Sequence, residues 1–101
     1  MRPVAVEIRF LVTKAADMDA VTSAVADLMI DAEEANKQLS DSGIAATLTT
    51  GNLMVNVTAQ ADEFDQALSI ASKAIMNAVA KVEANTASQF TLIEQNAKFA
   101  A

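Results

Sequence analysis

Chemistry in this chain has to come from a short list of side chains, because the sequence has no His, Cys, Tyr or Trp. General bases and nucleophiles reduce to Asp, Glu, Lys, Ser and Thr. A Ser/His/Asp triad, thiolate catalysis, disulfides and cysteine-ligated zinc are all excluded. What remains is a carboxylate pair, an oxygen-ligated hard cation, or an anion bound at a helix N-terminus.

The acidic clusters read more simply as structure. Asp17 and Asp19, and then Asp62, Glu63 and Asp65, fall where helices should begin. Negative charge there complements the helix dipole and satisfies free N–H groups. Asp31, Glu33 and Glu34 belong to the outer surface of the first helix, with Lys37 one turn beyond Glu33, and are expected to be a solvated face. No calcium-loop spacing with a central glycine occurs. The only glycines are Gly43 and Gly51, and neither lies in a glycine-rich strand-to-helix turn that would cradle phosphate. Thr13 and Lys14 in "VTKAAD" are a weak anion signal against the simpler expectation of an exposed loop. No metal and no cofactor is expected.

The elements that position these residues follow from hydrophobic periodicity. "VAVEIRFLV", residues 4–12, alternates as a half-buried strand does: Val4, Val6, Ile8, Phe10 and Val12 share one face, and Ala5, Glu7, Arg9 and Leu11 the other. Asp17 is placed to cap a helix. Met18, Val21, Val25, Leu28, Ala32, Ala35 and Leu39 form its stripe, and Gly43 is the expected stop. Next, "LTTGNLMVNVT" reads as a hairpin around a two-residue Gly51-Asn52 turn, which sets Leu48 opposite Val55, Ala46 opposite Val57 and Ile44 opposite Ala59. Asp62 caps a second helix carrying Phe64, Leu68, Ala71, Ile75, Ala78 and Val82, and Asn85 is placed to end it in the left-handed conformation. "SQFTLIEQ" is a final strand with Phe90 and Leu92 inward. Residues 96–101 form a tail that can fray or fold Phe99 back onto the core.

Strand, helix, strand, strand, helix, strand, with right-handed crossovers, is the α+β ferredoxin-like split βαβ plan, a four-stranded antiparallel sheet with both helices on one face. The 101 residues are expected to form one domain. Helices of about twenty-four residues would span roughly 36 Å against strands of roughly 23 Å, so they should overhang the sheet or bend.

Composition narrows the partners. Seven basic and thirteen acidic side chains give a net charge of −6, and the basic ones are scattered, which opposes nucleic acid and anionic membranes. The N-terminal apolar run is interrupted by Glu7 and Arg9, so neither a signal peptide nor a membrane span is expected, and the cysteine-free chain fits the cytoplasm. About a fifth of the residues are alanine, which suggests a GC-rich bacterial or phage coding sequence. An RNA-reading sheet of this plan would carry aromatics on its central strands, and the outward positions have none.

The open sheet face is therefore the candidate site: Glu7, Arg9 and Leu11, then Thr47 and Thr49, then Met54, Asn56 and Thr58, with Ile93 on the last strand beside Thr91 and Gln95. Ile30, Ile70 and Met76 stray from their helical stripes and are expected as secondary contacts. The favoured expectation is a cytoplasmic, non-enzymatic interaction module that forms a homodimer through this face. The alternative is a small-molecule-binding module or enzyme with a pocket between two such sheets, using Glu7, Arg9, Thr47 and Asn56 as polar contacts.

Overall fold

The structure is a computed structural model and describes residues 2–15, 17–47 and 49–100. The chain runs β1 (Arg2–Thr13), α1 (Met18–Ala35), β2 (Leu39–Thr47), β3 (Asn52–Ala61), α2 (Phe64–Asn85) and β4 (Gln89–Phe99). The sheet order is β2-β3-β1-β4 and every neighbouring pair is antiparallel. Both helices lie on one side. From that side Val21, Val25 and Met29 of α1 and Ala67, Ala71, Ile75, Ala78, Val79 and Val82 of α2 are buried with the inward residues of the strands.

The central strand is as its alternation dictates: Val4, Val6, Ile8, Phe10 and Val12 are all buried. β3 supplies Leu53, Val55, Val57, Ala59 and Ala61 to the same layer. Asp17 caps α1 by accepting a hydrogen bond from the Ala20 amide at 3.2 Å.

Four sequence expectations are corrected. First, α1 ends at Ala35, and Leu39 starts β2 instead of continuing the helix to Gly43. Asn36 stops the helix: its backbone is extended, and its side-chain oxygen accepts from the Gln38 amide at 3.0 Å, a local turn that competes with helix continuation. Leu39 is still buried, now from a strand. The strands are 9 to 12 residues long and the helices 18 and 22, so the expected overhang disappears.

Second, the hairpin register differs. Thr47 pairs with Asn52 and Ile44 with Val55, so the loop is longer and Thr49 lies in it rather than on a strand. Leu48, expected opposite Val55, lies outside the described residues. The shift from the expected pairing is an even number of residues, so inward side chains still face inward ones. β2 also carries a bulge. Asp41 and Ser42 fall between Ser40, which pairs with Thr58, and Gly43, which pairs with Asn56. Asp41 takes φ 53°, a conformation that Asp tolerates better than most side chains.

Third, Glu63 rather than Asp62 precedes α2, with no side-chain cap. Asn85 is the last helical residue, and its side chain donates to the Lys81 carbonyl at 2.9 Å. Fourth, β4 runs on through Asn96 to Phe99, and the pairing with β1 shifts between Arg9 and Phe10, which leaves Ile93 as an extra residue. Beyond this bulge Glu94, Asn96 and Lys98 face outward and Gln95 faces α2, where its amide donates to Ser72 Oγ at 3.0 Å. Leu92, expected inside, is 46% exposed.

Candidate functional site on the open sheet face

With both helices on one side, the other face of all four strands has no covering element among the described residues. Register sorts its side chains into rows across β2, β3, β1 and β4. One row holds Gly43, Asn56, Glu7 and Asn96, the next Ala45, Met54, Arg9 and Glu94, and the third Thr47, Asn52, Leu11 and Thr91. The structure thus brings together Glu7, Arg9, Leu11, Thr47, Met54, Asn56, Thr58 and Ile93 of the expected set and leaves out Thr49. Gln95 is lost to the inner face through the bulge, and Glu94 takes its place.

Arg9 is the centre of charge. Its Nε is 3.6 Å from Glu7 Oε2, two residues along the same strand, and 4.0 Å from Glu94 Oε2, directly across on β4. Glu94 Oε1 accepts from Asn96 Nδ2 at 3.0 Å. These contacts are exposed or half-exposed, so each adds little stability. They leave the guanidinium already neutralised by its own chain. Glu94 was missed in sequence because strict alternation along β4 puts it inside; only the bulge turns it out.

Two shallow basins lie side by side on the face and share Met54 as a wall. One, about 390 Å³, is bounded by Arg9, Ala45, Thr47 and Ile93. The other, about 570 Å³, is bounded by Ala5, Glu7, Asn56 and Asn96. Their linings mix apolar groups with asparagine amides, the Thr47 hydroxyl and two charged side chains each, Arg9 and Glu94 in the first and Glu7 and Lys98 in the second. Among the described residues the hydroxyls on this face bond to no carboxylate. Nor do three acidic side chains converge to hold a metal ion among the described residues.

The secondary helix residues separate. Ile30 is 50% and Met76 41% exposed, whereas Ile70, expected to stray outward, packs partly buried against the core. Thr13 and Lys14 are exposed, with Lys14 at φ 60°. No helix of the described residues is long and apolar enough to cross a membrane.

No protein-family model and no curated protein sequence matches this chain. Solved structures do. The C-terminal segment of the alpha subunit of aIF2 from Pyrococcus abyssi superposes with a TM-score of 0.68 at 16% identity over 93% of this chain, which spans 51% of that structure's length. A de novo designed protein with ferredoxin fold gives 0.56 at 18% identity, covering 93% of this chain and 87% of the design. The fold is ferredoxin-like. A third ferredoxin-like neighbour, a putative antibiotic biosynthesis monooxygenase from Chloroflexus aurantiacus, gives 0.58 at 11% identity and covers 98% of this chain and 93% of its own. At these identities the likeness is one of fold alone.

Proposed function

We propose that this protein is an interaction module that self-associates by packing the open sheet faces of two copies together. The observation that carries this reading is the makeup of the face. Leu11, Met54, Ile93, Ala5 and Ala45 supply apolar contact, and its charged side chains, Glu7, Glu94, Arg9 and Lys98, balance two against two. The net −6 of the chain therefore resides elsewhere. Like-charge repulsion, which opposes self-association of an acidic protein in general, is small where the charges balance in this way. Burying Arg9 would not orphan its own charge, because Glu7 and Glu94 accompany it, and Lys98 on the same face offsets the second carboxylate. Four strands about 4.8 Å apart and roughly ten residues long present about 600 Å² in projection, and more once side-chain relief is counted. A stable interface needs about 800 Å² per partner.

Light scattering with sedimentation tests this. The expected mass is that of a dimer or a multiple of it, and Leu11→Lys or Met54→Lys should raise the dissociation constant by about tenfold or more. An unchanged mass in both variants overturns the reading.

The paired basins support a second reading, in which two facing sheets enclose a chamber for a small uncharged molecule. The monooxygenase named for the Chloroflexus neighbour is a small-molecule activity on this fold, which lends the reading weight as analogy only. Thermal-shift screening against uncharged metabolites separates the two. Stabilisation that Met54→Lys abolishes favours the chamber, and no stabilisation across the screen favours plain self-association.

A further inference from the structure

β4 is an edge strand, and the bonds of β1 show which of its backbone groups are left over. The Val12 amide donates to the Gly51 carbonyl at 2.8 Å, and Ala100 donates to the Pro3 carbonyl at 2.9 Å. In an antiparallel ladder, bonding direction alternates residue by residue. Even-numbered residues of β1 therefore bond toward β3 and odd-numbered ones toward β4. Ala5, Glu7 and Arg9 then engage Lys98, Asn96 and Glu94, their register partners. The N–H and C=O groups of Gln95 and Ala97 point away from the sheet. The other edge, β2, is interrupted at Asp41–Ser42, whereas β4 is unbroken from Glu94 to Phe99.

The geometry points to a second copy of this chain as the occupant of that edge, added antiparallel about a two-fold axis through Asn96. In that register Gln95 of each copy faces Ala97 of the other as a hydrogen-bonded pair, and both left-over groups of each residue are satisfied. The adjacent pair sets Glu94 against Lys98 of the second copy, twice by symmetry, at the position where opposing side chains are closest. Shifting by two residues either way sets Glu94 opposite Ala100 or opposite Asn96, and the charge match is lost. The axis is normal to the sheet, so the eight strands form one layer with all helices on one side. The open faces stay uncovered, and this contact does not compete with face-to-face packing. It uses the backbone edge of β4 rather than the breadth of the sheet face, with Glu94 and Lys98 bordering both, and it has the isologous symmetry that dimers most often use.

The absence of Cys from the chain gives a clean test, because a single introduced thiol reports only its own neighbourhood. Opposed residues of a non-hydrogen-bonded pair have Cα atoms about 4.5 Å apart, within disulfide reach. Under mild oxidation, Asn96→Cys should form a linked dimer at least tenfold faster than Lys98→Cys, whose symmetry mate lies farther off. Adding Ala97→Pro removes an N–H that points away from β1 and bonds nothing among the described residues, and should abolish linking while the circular dichroism stays native. Adding Lys98→Glu, an exposed change that opposes two carboxylates, should slow linking even if the proline variant fails to fold. Adding Met54→Lys should leave linking intact. Equal linking rates for Asn96→Cys and Lys98→Cys overturn the proposal. So does linking insensitive to Lys98→Glu, or lost with Met54→Lys instead.

Discussion

Glu33 of α1 and Glu83 of α2 occupy equivalent places and do the same thing. Each lies two residues before the end of its helix, and each carboxylate accepts the backbone N–H of a residue in the strand that follows. Glu33 Oε1 takes the Ser42 amide at 2.8 Å, and Glu83 Oε2 takes the Phe90 amide at 2.9 Å. A carboxylate at the C-terminal end of a helix opposes the dipole by about 0.3–1 kcal/mol. A hydrogen bond to a charged acceptor contributes about 1.5–3 kcal/mol, less for a half-exposed group. The bond outweighs the dipole, and the two crossovers are tied down by the same device. In the first crossover it holds an amide that the β2 bulge would otherwise leave without a partner.

Glu33→Ala and Glu83→Ala should therefore each lower stability by about 1 kcal/mol in urea unfolding. For a chain of this length that is a fall of about 4–8 °C in Tm. Glu→Gln keeps an acceptor oxygen and removes the dipole penalty, so it should be close to neutral. Hydrogen exchange at Ser42 and Phe90 should accelerate in the alanine variants and not in the glutamine ones.

This tie also shows where sequence stops being legible. Periodicity placed Glu33 on the outer surface of α1, which is a statement about its own helix. Its partner is nine residues on, in a bulge whose existence no local pattern announces. The same limit governs Leu39, whose spacing continues the helical stripe and whose side chain is indeed buried. A strand and a helix can deliver one apolar group to one core, and only the Asn36 turn decides between them. In the hairpin, matching core to core fixes the register modulo two residues and no further, so the expected pairing had correct faces and wrong partners. Along β1, where both neighbours are strands and alternation is unbroken, every inward residue was legible. The open face was legible to that extent, and Glu94 became visible only through the β4 bulge.

The two glycines should respond differently to alanine. Gly51 has φ +77°, and a Cβ there would collide with the Val12 carbonyl oxygen, a backbone atom that is itself part of the sheet. Gly51→Ala should cost about 2 kcal/mol or more, from the left-handed conformation together with the clash. At Gly43 the Cβ would meet Asn56 Oδ1 at 2.7 Å, the far end of a side chain that can turn away. Loss of the long 3.5 Å contact from Asn56 to the Asp41 carbonyl is offset by a less flexible unfolded chain. Gly43→Ala should fall within about 0.5 kcal/mol of wild type by thermal melt.

Arg9 should matter to association more than to folding. Its two ion pairs are exposed, and such pairs contribute about 0–1 kcal/mol. Arg9→Met should leave the melting temperature nearly unchanged. It should nonetheless weaken face-to-face association, because Glu7 and Glu94 would then enter the interface with only Lys98 to offset them. Raising salt should weaken the wild-type fold little and should partly restore self-association of the variant by screening those carboxylates. Equilibrium sedimentation at low and high salt checks both.

Phe64 and Phe99 join the first turn of α2 to the end of β4, with ring centroids 5.1 Å apart and planes at 70°. Edge-to-face pairs of this kind contribute about 0.5–1.5 kcal/mol beyond their burial. Phe99 is 43% exposed, so the burial term is partial and the pair term is a large share of the whole. Phe99→Ala should cost about 1–2 kcal/mol, and Phe64→Ala somewhat more because Phe64 packs against the core. Introduced together, the two changes should cost less than the sum of the single effects by the pair term, read from a double-mutant cycle in urea. Full additivity would mean that the rings touch without coupling.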